Sequence, residues 1–326
     1  MLLLSGSNVS KNYGTLECFS GADFSIRSGQ RIGLIGTNGS GKTTLLKVLA
    51  GEEEHEGTVD RRSSIRIAML SQSASYDPDT AVRDVVVEGV SEVGPIRHEI
   101  EEINHALAHS GDDGQDTKKL LRRLGELQDR FDALGGHEVE WRAEAILDRL
   151  GFPAERHDEP VKFLSGGELN RVSLARLLIQ DADLWLLDEP TNHLDIDGIQ
   201  FLEETILDSS AAAVIVSHDR RFLDRVTTHT WEITASSLAC YDGNYSRSRE
   251  VREQRLQQRW REYRLQQEHI QQQKEFIRRY KAGQRANDAV LADVSVLAFV
   301  NQQMLEAICF LAENLRAVLE QFFGQQ

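Results

Sequence analysis

The sequence predicts an α/β fold, a buried, mostly parallel sheet flanked by helices, with a helical insertion and a long helix after the sheet. Three observations carry this. The apolar runs Arg31-Ile-Gly-Leu-Ile35, Asp183-Leu-Trp-Leu-Leu187 and Ala213–Val216 have the continuous character of strands buried on both faces. Helical patterns follow or separate them, at Thr44–Ala50, across 92–134 and after Ser165. Residues 246–286 hold one Gly and no Pro and read as a long helix.

The 326 residues are 27% charged and 40% hydrophobic, a soluble globular composition with length for about two domains. Met1-Leu2-Leu3-Leu4 is apolar, but Ser-Gly-Ser-Asn follows, so no signal-peptide core is expected. The charge-free stretch Val294–Leu305 is far shorter than the ~20 residues that span a bilayer, so no membrane insertion is expected. Cys18, Cys240 and Cys309 are scattered, without metal-ligand spacing or a disulfide framework, and a reducing, cytoplasmic location is expected.

A net charge of −15 argues against nucleic acid only as an average. Residues 1–245 carry 24 basic and 42 acidic side chains (−18), 246–286 carry 12 and 5 (+7), and 287–326 carry one and five (−4). Three regions follow, with boundaries near 245 and 286.

Gly36-Thr-Asn38-Gly39-Ser40-Gly41-Lys42-Thr43 fits G-x-x-x-x-G-K-[ST], set between the first apolar strand and a helix opening at Thr44. Glycines let backbone N–H groups turn inward around phosphate oxygens at the helix's positive end. Lys42 would reach the β- and γ-phosphates, and Thr43 would hold Mg²⁺. The bland alternative is a Gly-rich turn. The second strand ends in Asp188-Glu189-Pro190. A carboxylate there sits where ligands bind in open parallel sheets, so Asp188 would hold Mg²⁺ through water and Glu189 would polarise the attacking water. Alone, the same tripeptide is a strand-to-turn stop.

Leu164-Ser165-Gly166-Gly167-Glu168 precedes an amphipathic pattern. Ser165 with Glu168 fits a capping box, and the same N-terminus can bind an anion. With these residues the chain resembles the ATP-binding cassette (ABC) ATPases, whose signature loop is L-S-G-G-E. The resemblance implies a P-loop NTPase ABC cassette that hydrolyses ATP with Mg²⁺. It implies that Tyr13 stacks on adenine and that Gln72 senses Mg²⁺ and the attacking water. It further implies that Asp195 lies in the D-loop Asn192-His-Leu-Asp195 and that His218 contacts the γ-phosphate. Individually such a Tyr, Gln or His is more often structural.

Asp188-Glu-Pro-Thr-Asn-His-Leu-Asp195, Ser217-His-Asp-Arg-Arg-Phe-Leu-Asp224 and Tyr241-Asp-Gly-Asn-Tyr-Ser246 resemble the ABC-F translation factors over about residues 1–286. In the 92–134 insertion, Ile96, Ile100, Ile103 and Leu107 make one stripe, and Leu120, Leu124, Leu127, Phe131 and Leu134 another. This helical hairpin reads as a short arm fused to the cassette's helical subdomain; the alternative is the ordinary subdomain alone. In the basic linker, Leu256, Trp260, Tyr263, Ile270 and Ile277 keep one face, among twelve basic residues from Arg247 to Arg285. A solvated helix with a packing stripe is one reading. Resemblance to ABC-F implies the other, contact with rRNA and tRNA on the ribosome.

An ABC site is composite, and this chain carries one phosphate loop and one signature. A second cassette in trans or a homodimer is therefore expected. The apolar, nearly cation-free segment 287–326 suggests a truncated or frameshifted product; alternatively its apolar residues form a helix that packs on the linker or drives dimerisation. Competing functions are the nucleotide-binding subunit of an ABC transporter and a catalytically incomplete ATP-binding fragment.

Overall fold

The computed structural model describes residues 1–14, 16–70, 76–90, 92–109, 116–234 and 236–283. Gln72, Arg285 and the 287–326 segment lie outside the described residues. Two compact units divide at Ser248/Arg249.

The first unit opens with β1 (Leu2–Tyr13), β2 (Leu16–Arg27) and β3 (Arg31–Gly36), then α1 (Lys42–Ala50), β4 (Glu56–Arg61) and β5 (Ile67–Met69). Four helices follow: α2 (Val82–Val87), α3 (Gly94–His109), α4 (Asp116–Ala133) and α5 (Gly136–Arg149). Then come α6 (Gly166–Leu178), β6 (Leu184–Asp188), α7 (Ile196–Asp208), β7 (Ala212–Val216), α8 (Arg220–Val226), β8 (His229–Thr234) and β9 (Ser237–Asp242). A last helix, α9 (Tyr245–Gly283), runs on into the second unit.

A three-stranded antiparallel sheet has the order β2-β1-β4. The larger sheet has the order β5-β6-β7-β3-β8-β9, parallel except for the edge strand β9. Strands β6 and β7 are buried at every position. Their alternate residues separate two cores. Leu184, Leu186, Ala212, Val214 and Val216 join Leu45, Leu46, Val48 and Leu49 of α1, whereas Trp185, Leu187, Ala213 and Ile215 join the core shared with α6. Double-sided burial is why these strands read as unbroken apolar runs.

The α3–α4 hairpin continues the second of these cores through Ile96, Ile100, Ile103, Leu127 and Phe131. Arg97 fixes its base. This guanidinium reaches Asp84 of α2 at 3.1 Å, Glu101 one turn away at 3.1 Å and Glu140 of α5 at 3.4 Å. In α9, Trp260 is exposed and meets Tyr263 edge-on at 6.1 Å, one turn apart on a shared face. Ile270 is buried; the side chains of Leu256 and Ile277 are outside the described set. Among the described residues no helix is long and apolar enough to cross a membrane.

Candidate functional site

Strand β3 lies between β7 and β8, so the chain emerges from its C-terminal end at the middle of the larger sheet. That is where open parallel sheets form ligand crevices. The turn from Gly36 into α1 begins with Thr37, Asn38 and Gly39 at the exposed rim and closes on Gly41, which caps the helix in the left-handed region (φ 92°). A Cβ on Gly41 would meet Cys18 Cβ of β2 at 3.0 Å, so the smaller sheet braces the loop. Thr44 follows, half buried, in the first turn of α1.

Lys42 folds its amine back onto the loop, donating to the carbonyls of Gly36 (3.1 Å) and Thr37 (3.0 Å). Burial lowers its pKa, and the nearby Glu189 and Asp188 carboxylates oppose that shift. The Thr43 hydroxyl donates to Asp188 Oδ2 at 2.7 Å, spanning from α1 to the end of β6. Asp188 is buried. Ser40 Oγ is buried with no protein hydrogen-bond partner. Leaving a buried hydroxyl unsatisfied is costly, so this atom points to a polar ligand in the loop. A lysine and an orphan hydroxyl in a glycine-rich turn at a helix N-terminus fit a phosphate chain. The hard oxygen pair Thr43–Asp188 fits Mg²⁺.

Glu189 sits at φ 52°, a sparsely populated conformation for a side-chain-bearing residue, and is anchored by its N–H to the Val216 carbonyl at 2.9 Å. Its carboxylate accepts from the His218 backbone N–H at 3.3 Å and lies 3.3 Å from His218 Nε2. That side chain is only 13% exposed, whereas His218 is 67% exposed. Thr191 and Ser217 hydroxyls, 3.1 Å apart, join the two turns that present this pair. The parallel register Asp188↔Val216 sets these turns side by side.

Ser165, Gly166 and Gly167 make a second centre. Ser165 caps α6, its Oγ accepting from Glu168 N–H at 3.3 Å while Glu168 accepts from Ser165 N–H at 2.8 Å. The Ser165 hydroxyl, which donates to the Glu168 carboxylate at 2.7 Å, then the Ser165 N–H, and then Arg156 at 2.7 Å, hold the Glu168 carboxyl at about 2. Gly167 lies against the imidazole of His193, where an added Cβ would come within 3.2 Å of the ring. Asp195, two residues on, caps α7 by accepting from Gly198 N–H at 2.8 Å. The structure thus joins Thr43 to Asp188 and, at the next residue, Glu189 to His218, with the Lys42 amine near both carboxylates, and packs Gly167 of the Ser165–Gly167 loop on the 192–195 turn.

Tyr13 ends β1 at a hairpin tip, 46% exposed. Lys11, from the same Lys11-Asn-Tyr-Gly14 run, lies over its ring, and Glu53, which is close to both, carried no motif in the sequence. His193 did lie inside a motif, but its packing on Gly167 spans 26 positions and had no local signal.

A family model described as ABC transporter matches residues 19–192, and a second with the same description matches 231–291. ABC transporter F family member 5 of Arabidopsis thaliana is 32% identical over 301 residues, 92% of this chain and 44% of that protein. The energy-dependent translational throttle protein EttA of Haemophilus influenzae is 36% identical over 259 residues, 79% of this chain and 46% of that protein. The chain therefore spans less than half the length of these relatives. A solved nucleotide-free ATP-binding cassette from an ABC transporter superposes with a TM-score of 0.52 at 19% identity, covering 74% of this chain and 92% of that one. An ATP-binding subunit of an ABC transporter gives 0.53 at 16%, covering 74% and 90%. These two likenesses concern the fold.

Proposed function

The chain belongs to the ABC transporter family, on its F branch, and from that membership we propose that it binds and hydrolyses ATP in work on translation. The observation that carries the nucleotide chemistry is the assembly of Lys42, Thr43, Asp188, Glu189 and His218 at the sheet's C-terminal edge. Gly36, Asn38, Gly39, Ser40, Gly41 and Thr44 complete the cradle, with Lys42 exchanging its carbonyl partners for phosphate oxygens. Thr43 and Asp188, with Gln72 from the segment outside the described residues, would hold Mg²⁺. Bound there, the ion would neutralise developing charge on the phosphates.

Glu189 polarises a water whose oxygen bonds to the γ-phosphorus as the bridging bond to the β-phosphate oxygen breaks. The carboxylate takes the water's proton. His218, hydrogen-bonded to Glu189, steadies that carboxylate and faces solvent from which the γ-phosphate can approach. Ser165–Gly167 and Asp195 close over a nucleotide held by a second cassette, in trans or in a homodimer. In the test, Glu189→Gln retains ATP binding and loses turnover by about 10²-fold or more. Unimpaired hydrolysis by that variant would falsify the assignment of the base.

The ribosomal reading is supported by the similarity to EttA, an energy-dependent translational throttle protein, and by the cationic helix. Arg249, Arg252, Arg255, Arg259, Arg261 and Arg264 lie within α9, and in 246–286 acidic residues are fewer than half as numerous as basic ones. Guanidinium groups can fork onto the phosphates of rRNA and tRNA.

A further inference from the structure

We propose that Lys11 and Glu53 are positioning residues for base binding, holding the Tyr13 ring as a preset platform for a flat heteroaromatic base. The proposal rests on the stacking role of Tyr13. Lys11 and Tyr13 stand two residues apart on β1. The Lys11 ammonium sits 4.7 Å from the Tyr13 ring centroid, over one face of the ring. The same ammonium pairs with Glu53 Oε1 at 2.8 Å. The Tyr13 hydroxyl also lies close enough to the Glu53 carboxylate to help lower its pKa. Three side chains thus close a triangle between the β1 hairpin tip and the turn after α1.

The pattern of exposure gives the triangle a direction. Lys11 and Glu53 side chains are 12% and 23% exposed, whereas Tyr13 is 46% exposed. The two anchors are shielded and the ring is open. The Lys11 hydrogen bond, then that of Tyr13, keeps the Glu53 carboxyl below its usual range, so it is ionised at neutral pH. The ring stands at the end of a strand and is followed by Gly14 at φ 61°. Here the hydroxyl stands beside the Glu53 carboxylate and the ammonium occupies one face, leaving the other for a ligand. Fixing a side chain before binding removes an entropic cost from the binding step. A cation on one face also draws π-density from the ring, which lessens the repulsion between two stacked electron-rich faces. The location suits a base: Cys18, on the strand paired with β1, packs on Gly41 of the phosphate loop.

The test separates base from phosphate by titrating the full chain with ATP and with inorganic tripolyphosphate, which has no base to stack. Lys11→Met and Glu53→Ala are each expected to weaken ATP by about 3- to 10-fold, the size of one aromatic contact. Tripolyphosphate affinity is expected to stay within about twofold. In a Tyr13→Ala background, Glu53→Ala is expected to add nothing. Equal losses for both ligands, an additive loss in that background, or no loss for ATP would each overturn the proposal. Tyr13→Ala alone discriminates the layers. If it leaves ATP affinity intact, the stacking reading fails and takes this proposal with it. If it weakens ATP while Lys11→Met and Glu53→Ala do not, the stacking reading stands and the positioning role is refuted. Glu53→Gln, which keeps an acceptor for the Tyr13 hydroxyl, is expected to recover part of the loss and provides a folded control.

Discussion

Gly41→Ala probes how the smaller sheet braces the phosphate loop. Gly41 has φ 92°, and a left-handed backbone costs a Cβ-bearing residue about 1–2 kcal/mol. Its new Cβ would also lie 3.0 Å from Cys18 Cβ and 3.4 Å from the Cys18 carbonyl oxygen. Overpacking of this kind costs about 1–3 kcal/mol. Reduced freedom of the unfolded chain returns about 0.5 kcal/mol. The expected loss is about 2–4 kcal/mol. Gly39 supplies the control. It has φ 78° but nothing within 4 Å of an added Cβ, so Gly39→Ala should lose only the backbone part, about 1 kcal/mol. Urea unfolding followed by tryptophan fluorescence and circular dichroism gives both numbers, with parallel slopes required for comparison. Cys18→Gly, which removes the Cβ in contact, should be less costly in the Gly41→Ala background than in the parent. If the two alanine variants lose equal stability, within about 0.5 kcal/mol, the contact with Cys18 carries no strain and the reasoning is wrong.

Burial, and then a hydrogen bond with Asp84, pushes the Glu101 carboxyl up to about 8. The folded state therefore binds more protons than the unfolded one between the ordinary carboxylate range and pH 8, and stability should fall as pH rises through that window. Glu101→Gln is expected to flatten the slope, measured as urea midpoints at pH 5 and 8.5; an unchanged slope sinks the attribution. Ser165→Ala should lose about 1 kcal/mol by removing the cap of α6. The Glu168 pKa, followed by NMR, should rise in that variant from about 2 toward its ordinary value. The depressed carboxyl contributes stability above the ordinary range that is lost as pH falls toward 2, so Ser165→Ala should shrink the acid-induced loss. Replacing Arg255, Arg259, Arg261 and Arg264 by Gln should weaken ribosome association and flatten its dependence on salt. Association that is unaffected by these changes would remove α9 from the RNA contact.

Where a structural rule acts within a few residues, the chain could be read directly. The phosphate loop, the Ser165–Glu168 cap and the apolar runs of β6 and β7 are of this kind, because loop, cap and double-sided burial each leave a local pattern. Strands β1 and β2 left none. Their pairing shifts register between Leu2 and Leu4, between Gly6 and Val9, and again near Lys11, so the alternation that marks a half-buried strand is broken. At the site, the residues in motifs could be named, but the contacts between them could not. Thr43 meets Asp188 across 145 positions, and Lys11 meets Glu53 across 42. Arg97 is similarly silent in sequence, because its partners come from three helices.

The hydrogen bonds of Lys42 to Gly36 and Thr37 give nucleotide binding the character of an exchange reaction. The amine already has two oxygen partners, so a phosphate gains only the difference between its own oxygens and those carbonyls. Net affinity for a phosphate would be correspondingly smaller, while the ammonium would stay within reach of the loop throughout. Were the proposed ATP cycle to run here, the loop's own carbonyls would receive the lysine as phosphate departs, so the empty loop would not leave that amine unpaired.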